Sequence, residues 1–164
     1  MTVIKVEDNF FDPKEFEKFQ LSMYNLSWKL AWIDDPEKND MSLMEPNNFQ
    51  LYCDLLNSPD FNILNPLLKK MDVRSLLRIK SNLRFKTSSK LSTNFHTDFS
   101  VPRYDGLTTS IYYINTNNGY TEFEDSTKIE SVANRLISFP YDLKHRGVTC
   151  TDEPFRMVIN FNYF

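Results

Sequence analysis

The run Asn94-Phe95-His96-Thr97-Asp98 contains one of only two histidines in the chain, with a carboxylate two residues beyond it. The other histidine, His145, lies far downstream, towards the C-terminus. Two neutral imidazoles and a carboxylate are the donors of a two-histidine, one-carboxylate metal site. Residues i and i+2 of a β-strand point to the same side, so His96 and Asp98 can reach one ion from a single strand while His145 arrives from another. Three protein ligands on one face of an octahedral ion leave three positions open, a geometry that suits non-haem Fe(II). The same donors can also hold Zn²⁺ with a water molecule, as in a hydrolase. Histidine-x-aspartate pairs are common, and two solitary histidines also occur as ordinary strand residues.

A second constellation follows His145. In Phe155-Arg156-Met157-Val158-Ile159-Asn160-Phe161-Asn162-Tyr163, strand alternation places Arg156, Val158, Asn160 and Asn162 on one face. Met157, Ile159, Phe161 and Tyr163 take the other face, which is apolar and suited to a core. If the first face lines a lumen, Arg156 is a buried cation in need of an anion, and no acidic residue shares its face. A small-molecule carboxylate fits, because a guanidinium grips it with two parallel hydrogen bonds. An exposed arginine on an edge strand fits the pattern equally well.

These residues need elements to carry them. Val3 and Lys5 begin a short strand. Asp12 caps a helix with Pro13 at its first position, and residues 27–33 alternate as a strand. Residues 34–48 are polar and turn-rich, a loop. Residues 49–56 and 64–71 read as helices, the second opened by Asn65-Pro66. From residue 74 the texture turns to strands: 74–86, 108–114, 120–124, 135–139, 146–150 and 155–163, with Asn115-Thr116-Asn117-Asn118-Gly119 as a turn. Short strands after an N-terminal helical part predict a mostly β fold with N-terminal helices (α+β), a β-sandwich or barrel braced by helices.

The 164 residues make one domain, with no repeat or composition break to suggest a second. A chain of this length buries a core without disulfides, and Cys53 and Cys150 follow no disulfide or metal pattern, so both read as thiols in a reducing compartment. Aromatic content is 15%, suited to strands, and with only 3 Gly the turns fall to Asn, Asp, Ser and 8 Pro. The N-terminus turns acidic too early for a signal peptide and no apolar run approaches a membrane span, so an intracellular, cytoplasmic protein without a membrane partner is expected. Net charge is −3 and the isoelectric point about 5.4, which gives no global pull towards nucleic acid. One local basic run (Lys69, Lys70, Arg74, Arg78, Lys80, Arg84, Lys86, Lys90) is either a solvated face or a rim that attracts an anionic co-substrate or substrate.

Taken together, His96-x-Asp98, Thr109-Ser110-Ile111-Tyr112-Tyr113-Ile114-Asn115, Gly119-Tyr120-Thr121-Glu122-Phe123, His145 and Arg156 resemble the 2-oxoglutarate and Fe(II)-dependent dioxygenases. The similarity is greatest to the prolyl 4-hydroxylase-like branch and its small phage and bacterial members, over residues 74–164. The resemblance implies a double-stranded β-helix, or jelly-roll, in residues 73–164, with residues 1–72 as helical and strand support. It implies that His96, Asp98 and His145 bind iron, that Arg156 holds the distal carboxylate of 2-oxoglutarate, and that Tyr113 reaches the co-substrate while Tyr112 faces the other way. Asn160 matches a small polar partner for that carboxylate, and Thr121 the polar position of a Gly-Gly-x-Thr pattern in which this chain has Asn118-Gly119. Asn82 is a further candidate for the pocket wall, or a strand residue bonded to backbone.

The activity implied is hydroxylation of an unactivated C–H bond of a prolyl or other peptide side chain, or of a small metabolite, with release of succinate and CO2. Dioxygen is consumed and ascorbate supports turnover; in a phage-encoded member the host cytoplasm is the compartment. A non-catalytic jelly-roll, serving as a metal- or ligand-binding or structural module, is the alternative. Residues 34–48 and 99–107 are candidate substrate-facing lids.

Overall fold

The computed structural model describes residues 4–32, 49–99 and 105–164. The elements are β1 (Lys5–Glu7), α1 (Pro13–Tyr24), β2 (Lys29–Trp32), β3 (Phe49–Asp54), a 3-10 helix (Pro59–Leu64), α2 (Asn65–Lys70) and β4 (Leu76–Phe85). There follow β5 (Thr108–Tyr113), β6 (Tyr120–Phe123), β7 (Lys128–Glu130), β8 (Arg135–Pro140), β9 (His145–Val148) and β10 (Phe155–Tyr163). Asp12 caps α1 as its sequence requires, its carboxylate accepting from the backbone N–H of Lys14 and Glu15 at 3.0 and 3.1 Å.

Strand β10 lies in the middle of a seven-stranded antiparallel sheet of order β1-β8-β5-β10-β4-β3-β2. Its alternation is realised on both sides. Met157, Ile159 and Phe161 join Tyr112, Ile79, Phe11, Phe19 and Met23 in the larger core, beneath α1 and the N-terminal segment. Val158 joins Ile111, Tyr113, Ile137, Phe139 and Phe123 in a second core, facing a three-stranded sheet of order β7-β6-β9. Isolated bridges Ser92↔Val148 and His96↔His145 lay the segment before His96 along β9. The two facing antiparallel sheets form the jelly-roll, a mostly β architecture with two short helices.

The larger core draws on both Phe10–Leu67 positions and the strands after residue 76. Asn134 fastens the two together. Its amide accepts from the backbone N–H of Phe11 and donates to the Phe11 carbonyl, both at 2.8 Å, and also accepts from the Tyr112 hydroxyl at 2.6 Å.

Two expectations are corrected. Residues 49–56 are a strand over Phe49–Asp54, not a helix: the short apolar run satisfies both periodicities, and pairing with β2 and β4 decides for the strand. His96 and Asp98 do not share a regular strand; His96 makes a single bridge and Asp98 sits in a bend. Strand β7, with Ile129 between two charged residues, gave too little pattern to be foreseen. The loop expected over 34–48 lies outside the described residues, as does most of 99–107.

Candidate metal and carboxylate site

Strand β9 carries His145 to the inside of the barrel, where it is 2% exposed. His96 is set opposite it by reciprocal backbone hydrogen bonds, His96 N–H to His145 O and His145 N–H to His96 O, both 3.0 Å. The ring centroids stand 5.0 Å apart. Each Nδ1 faces the carbonyl two residues back, at 2.9 Å from Asn94 O for His96 and 3.2 Å from Leu143 O for His145. A carbonyl only accepts, so each Nδ1 carries the proton and each Nε2 presents its lone pair. The His145 Nε2 is buried without a partner. Ligand atoms of His96, Asp98 and His145 all lie within 4.8 Å of one another. Donor set, orphaned imidazole nitrogen and carbonyl-fixed tautomers together fit a divalent transition metal.

Asp98 is held in place by the sheet floor. Arg78 Nη1 lies 3.1 Å from its Oδ1, and Asn162 Nδ2 donates to its Oδ2 at 3.1 Å. Burial alone would raise the Asp98 carboxyl, but Arg78, His145, Asn162 and His96 outweigh it and keep the group below its ordinary range. Burial lowers the His145 imidazole against the pull of Asp98, so it is neutral at pH 7. Phe139 meets its ring edge-on at 5.0 Å and walls off that side.

The other end of the floor carries Arg156, 6% exposed on a central strand rather than at a sheet edge. Its Nε donates to Ser131 Oγ at 2.9 Å and its Nη2 to Thr121 Oγ1 at 3.0 Å. Thr121 Oγ1 also accepts from the Tyr113 hydroxyl at 2.7 Å. Arg156 has no ion pair with an acidic side chain among the described residues, and burial lowers its pKa. Gly119 makes room for it: a Cβ there would lie 2.8 Å from Arg156 Cδ and 2.7 Å from Val148 O. The glycine at this turn is therefore one that close packing demands.

A cavity of about 500 Å³ joins the two ends and is lined by His96, Asp98, His145, Arg156, Thr121, Asn160 and Asn82, among others. That volume lies within the roughly 300–1,000 Å³ of ligand pockets. Tyr113 is fully buried and does not line it; its hydroxyl braces Thr121 beneath Arg156. The Oδ1 atoms of Asn160 and Asn82 are buried with no hydrogen-bond partner, so Asn82 is a wall residue whose carbonyl oxygen is unsatisfied rather than bonded to backbone. Tyr112 turns to the opposite core, as expected. Sequence reasoning did not find Ser131, Gly119 or Arg84 as individual site residues. Arg84 could have been found from the alternation Arg78, Lys80, Asn82, Arg84; Ser131 left no signal.

No protein-family model and no curated protein sequence matches the chain. Solved structures do. A prolyl hydroxylase from Trichoplax adhaerens, in complex with a hypoxia inducible factor oxygen degradation domain peptide, superposes with a TM-score of 0.66 at 14% identity, over 98% of this chain and 83% of that one. HygX from Streptomyces hygroscopicus, with nickel and 2-oxoglutarate bound, gives 0.62 at 14% identity, over 99% and 82%. A prolyl-4-hydroxylase from Pseudomonas putida gives 0.60 at 10% identity, over 99% and 93%. At these identities the likeness is one of fold, and the fold is the jelly-roll shared with 2-oxoglutarate and Fe(II) oxygenases.

Proposed function

We propose that the protein is a 2-oxoglutarate- and Fe(II)-dependent oxygenase that hydroxylates an unactivated C–H bond, using residues 1–164 as a single domain. The observation that carries this reading is one cavity with a His96–Asp98–His145 triad at one end and, at the other, a buried guanidinium that has no acidic partner among the described residues. His96, Asp98 and His145 would hold the metal. Arg156, set by Ser131 and Thr121 with Tyr113 behind them, would take the distal carboxylate of the co-substrate, with Asn160, Thr121 and Asn82 along the wall. Iron with 2-oxoglutarate and dioxygen supplies the oxidising chemistry when bound, and the chain's part is to orient the reactants and exclude water. The substrate is a prolyl or other peptide side chain, or a small metabolite.

The test is conversion of 2-oxoglutarate to succinate by the purified protein with Fe(II) and ascorbate. Metal-dependent succinate formation, absent in His145→Ala, supports the reading. Native-rate consumption by His145→Ala would contradict the metal assignment, and none by wild type would leave a non-catalytic jelly-roll module.

A further inference from the structure

Six buried side-chain polar atoms among the described residues lack a hydrogen-bond partner, and all belong to residues lining the one cavity: Asn82, Arg84, Thr93, His145 and Asn160. The metal and co-substrate assigned above give His145, Asn160 and Asn82 something to do. They leave the hydroxyl of Thr93 and, carrying charge, Arg84, 6% exposed with both Nε and Nη1 unsatisfied. A buried guanidinium in that condition calls for an anion.

The register shows where that anion would sit. On the cavity face of β4, Arg78, Lys80, Asn82 and Arg84 lie opposite Asn162, Asn160, Val158 and Arg156 of β10. Arg78 is committed to Asp98 at the metal end. Arg156 is committed towards β6 and Ser131. Arg84 stands opposite Arg156 on β4, whose other edge pairs with β3, and Lys80, four residues back on the same face, reaches towards β3 with its Nζ 4.8 Å from the Tyr52 ring centre. Four cations and one carboxylate line the cavity among the described residues. A divalent metal and a doubly charged keto acid add no net charge, so three positive charges remain unmatched.

We infer that Arg84 forms a second anion subsite that takes a carboxylate or phosphate group of the primary substrate, with Lys80 further along the same wall. The inference rests on the oxygenase reading and narrows it: the molecule hydroxylated is an acid. The basic run of the sequence is in this part a binding wall rather than a solvated face. Burial and the neighbouring Arg156 charge bring the Arg84 pKa down to about 10, which still leaves it cationic at pH 7.

The experiment titrates inorganic phosphate, and separately acetate, into full-length protein saturated with Mn(II) and 2-oxoglutarate, so that the Arg156 site is already filled. Wild type should bind at least one of the two. Arg84→Met should weaken that binding tenfold or more while changing 2-oxoglutarate affinity less than threefold. Arg84→Lys, which keeps the charge, should retain binding within a few-fold and guards against a folding defect in the methionine variant. Preference for phosphate over acetate indicates a phosphorylated substrate, and the reverse a carboxylic acid; either supports the subsite. No anion binding to wild type, equal binding by Arg84→Met, or a loss of 2-oxoglutarate affinity in Arg84→Met as large as in Arg156→Lys would overturn it, the last making Arg84 a second clamp on the co-substrate. Failure of wild type to bind 2-oxoglutarate would instead remove the oxygenase reading, and phosphate titration of the metal-free protein would still decide whether Arg84 holds an anion.

Discussion

Two short contacts, from each Nδ1 to the carbonyl two residues back, decide what His96 and His145 can do. They fix both lone pairs on Nε2 before any ion arrives, so metal binding needs no tautomer change. His145→Ala should therefore abolish tight binding of Fe(II) or Mn(II), measured by calorimetry, and Asp98→Asn should weaken it strongly by replacing an anionic donor with an amide. An unchanged metal affinity in His145→Ala would contradict the assignment. Arg156→Lys keeps the charge but loses the forked geometry, a contact worth roughly 1.5–3 kcal/mol. Its 2-oxoglutarate affinity should fall about tenfold to a hundredfold, with metal affinity in the absence of co-substrate little changed; an equal affinity would place the clamp elsewhere. At this scale the sequence was informative where residue type is rare. Two histidines in the whole chain and one arginine on an otherwise uncharged strand face stand out. Ser131, which receives Arg156 Nε, is an unremarkable serine brought across by the fold, and nothing local marks it.

The elements explain why those residues meet. Residues 155–163 could be read in advance because a central strand must satisfy both of its faces at once, and its period-two pattern admits one register. Residues 49–56 were misread because their pattern serves two periods, and what settles it is the partner strand β4, which local sequence cannot show. The junction at Asn134 was equally illegible. Its φ of 64° places it in the left-handed region, and it bonds Phe11 twice and Tyr112 once through its side chain. Asn134→Ala leaves three buried polar groups unpaired and strains the backbone, and should cost roughly 2–4 kcal/mol in urea unfolding. Tyr112→Phe removes one of those bonds and should cost about 1 kcal/mol. A cost below about 0.5 kcal/mol for Asn134→Ala would mean that the N-terminal segment is held by apolar packing alone.

For the molecule as a whole, one core unites the N-terminal segment with the barrel strands, and both cysteines are buried within the structure. Burial raises the Cys53 and Cys150 thiols above their ordinary range, so the reactive thiolate is scarce at pH 8. Native protein should resist iodoacetamide at that pH and react at both positions once unfolded; rapid native alkylation of Cys53 would show that this core opens readily. Among the described residues no helix is long and apolar enough to cross a membrane. The jelly-roll was legible because strand texture and site motifs pointed the same way, whereas the substrate depends on a cavity wall assembled from β3, β4 and β10. If metal and keto acid share this cavity, each must affect the binding of the other, and titration of 2-oxoglutarate into wild type with and without Mn(II) is the decisive measurement. The metal should strengthen binding at least tenfold and His145→Ala should remove the enhancement; no binding, or binding indifferent to the metal, would rule out a shared site.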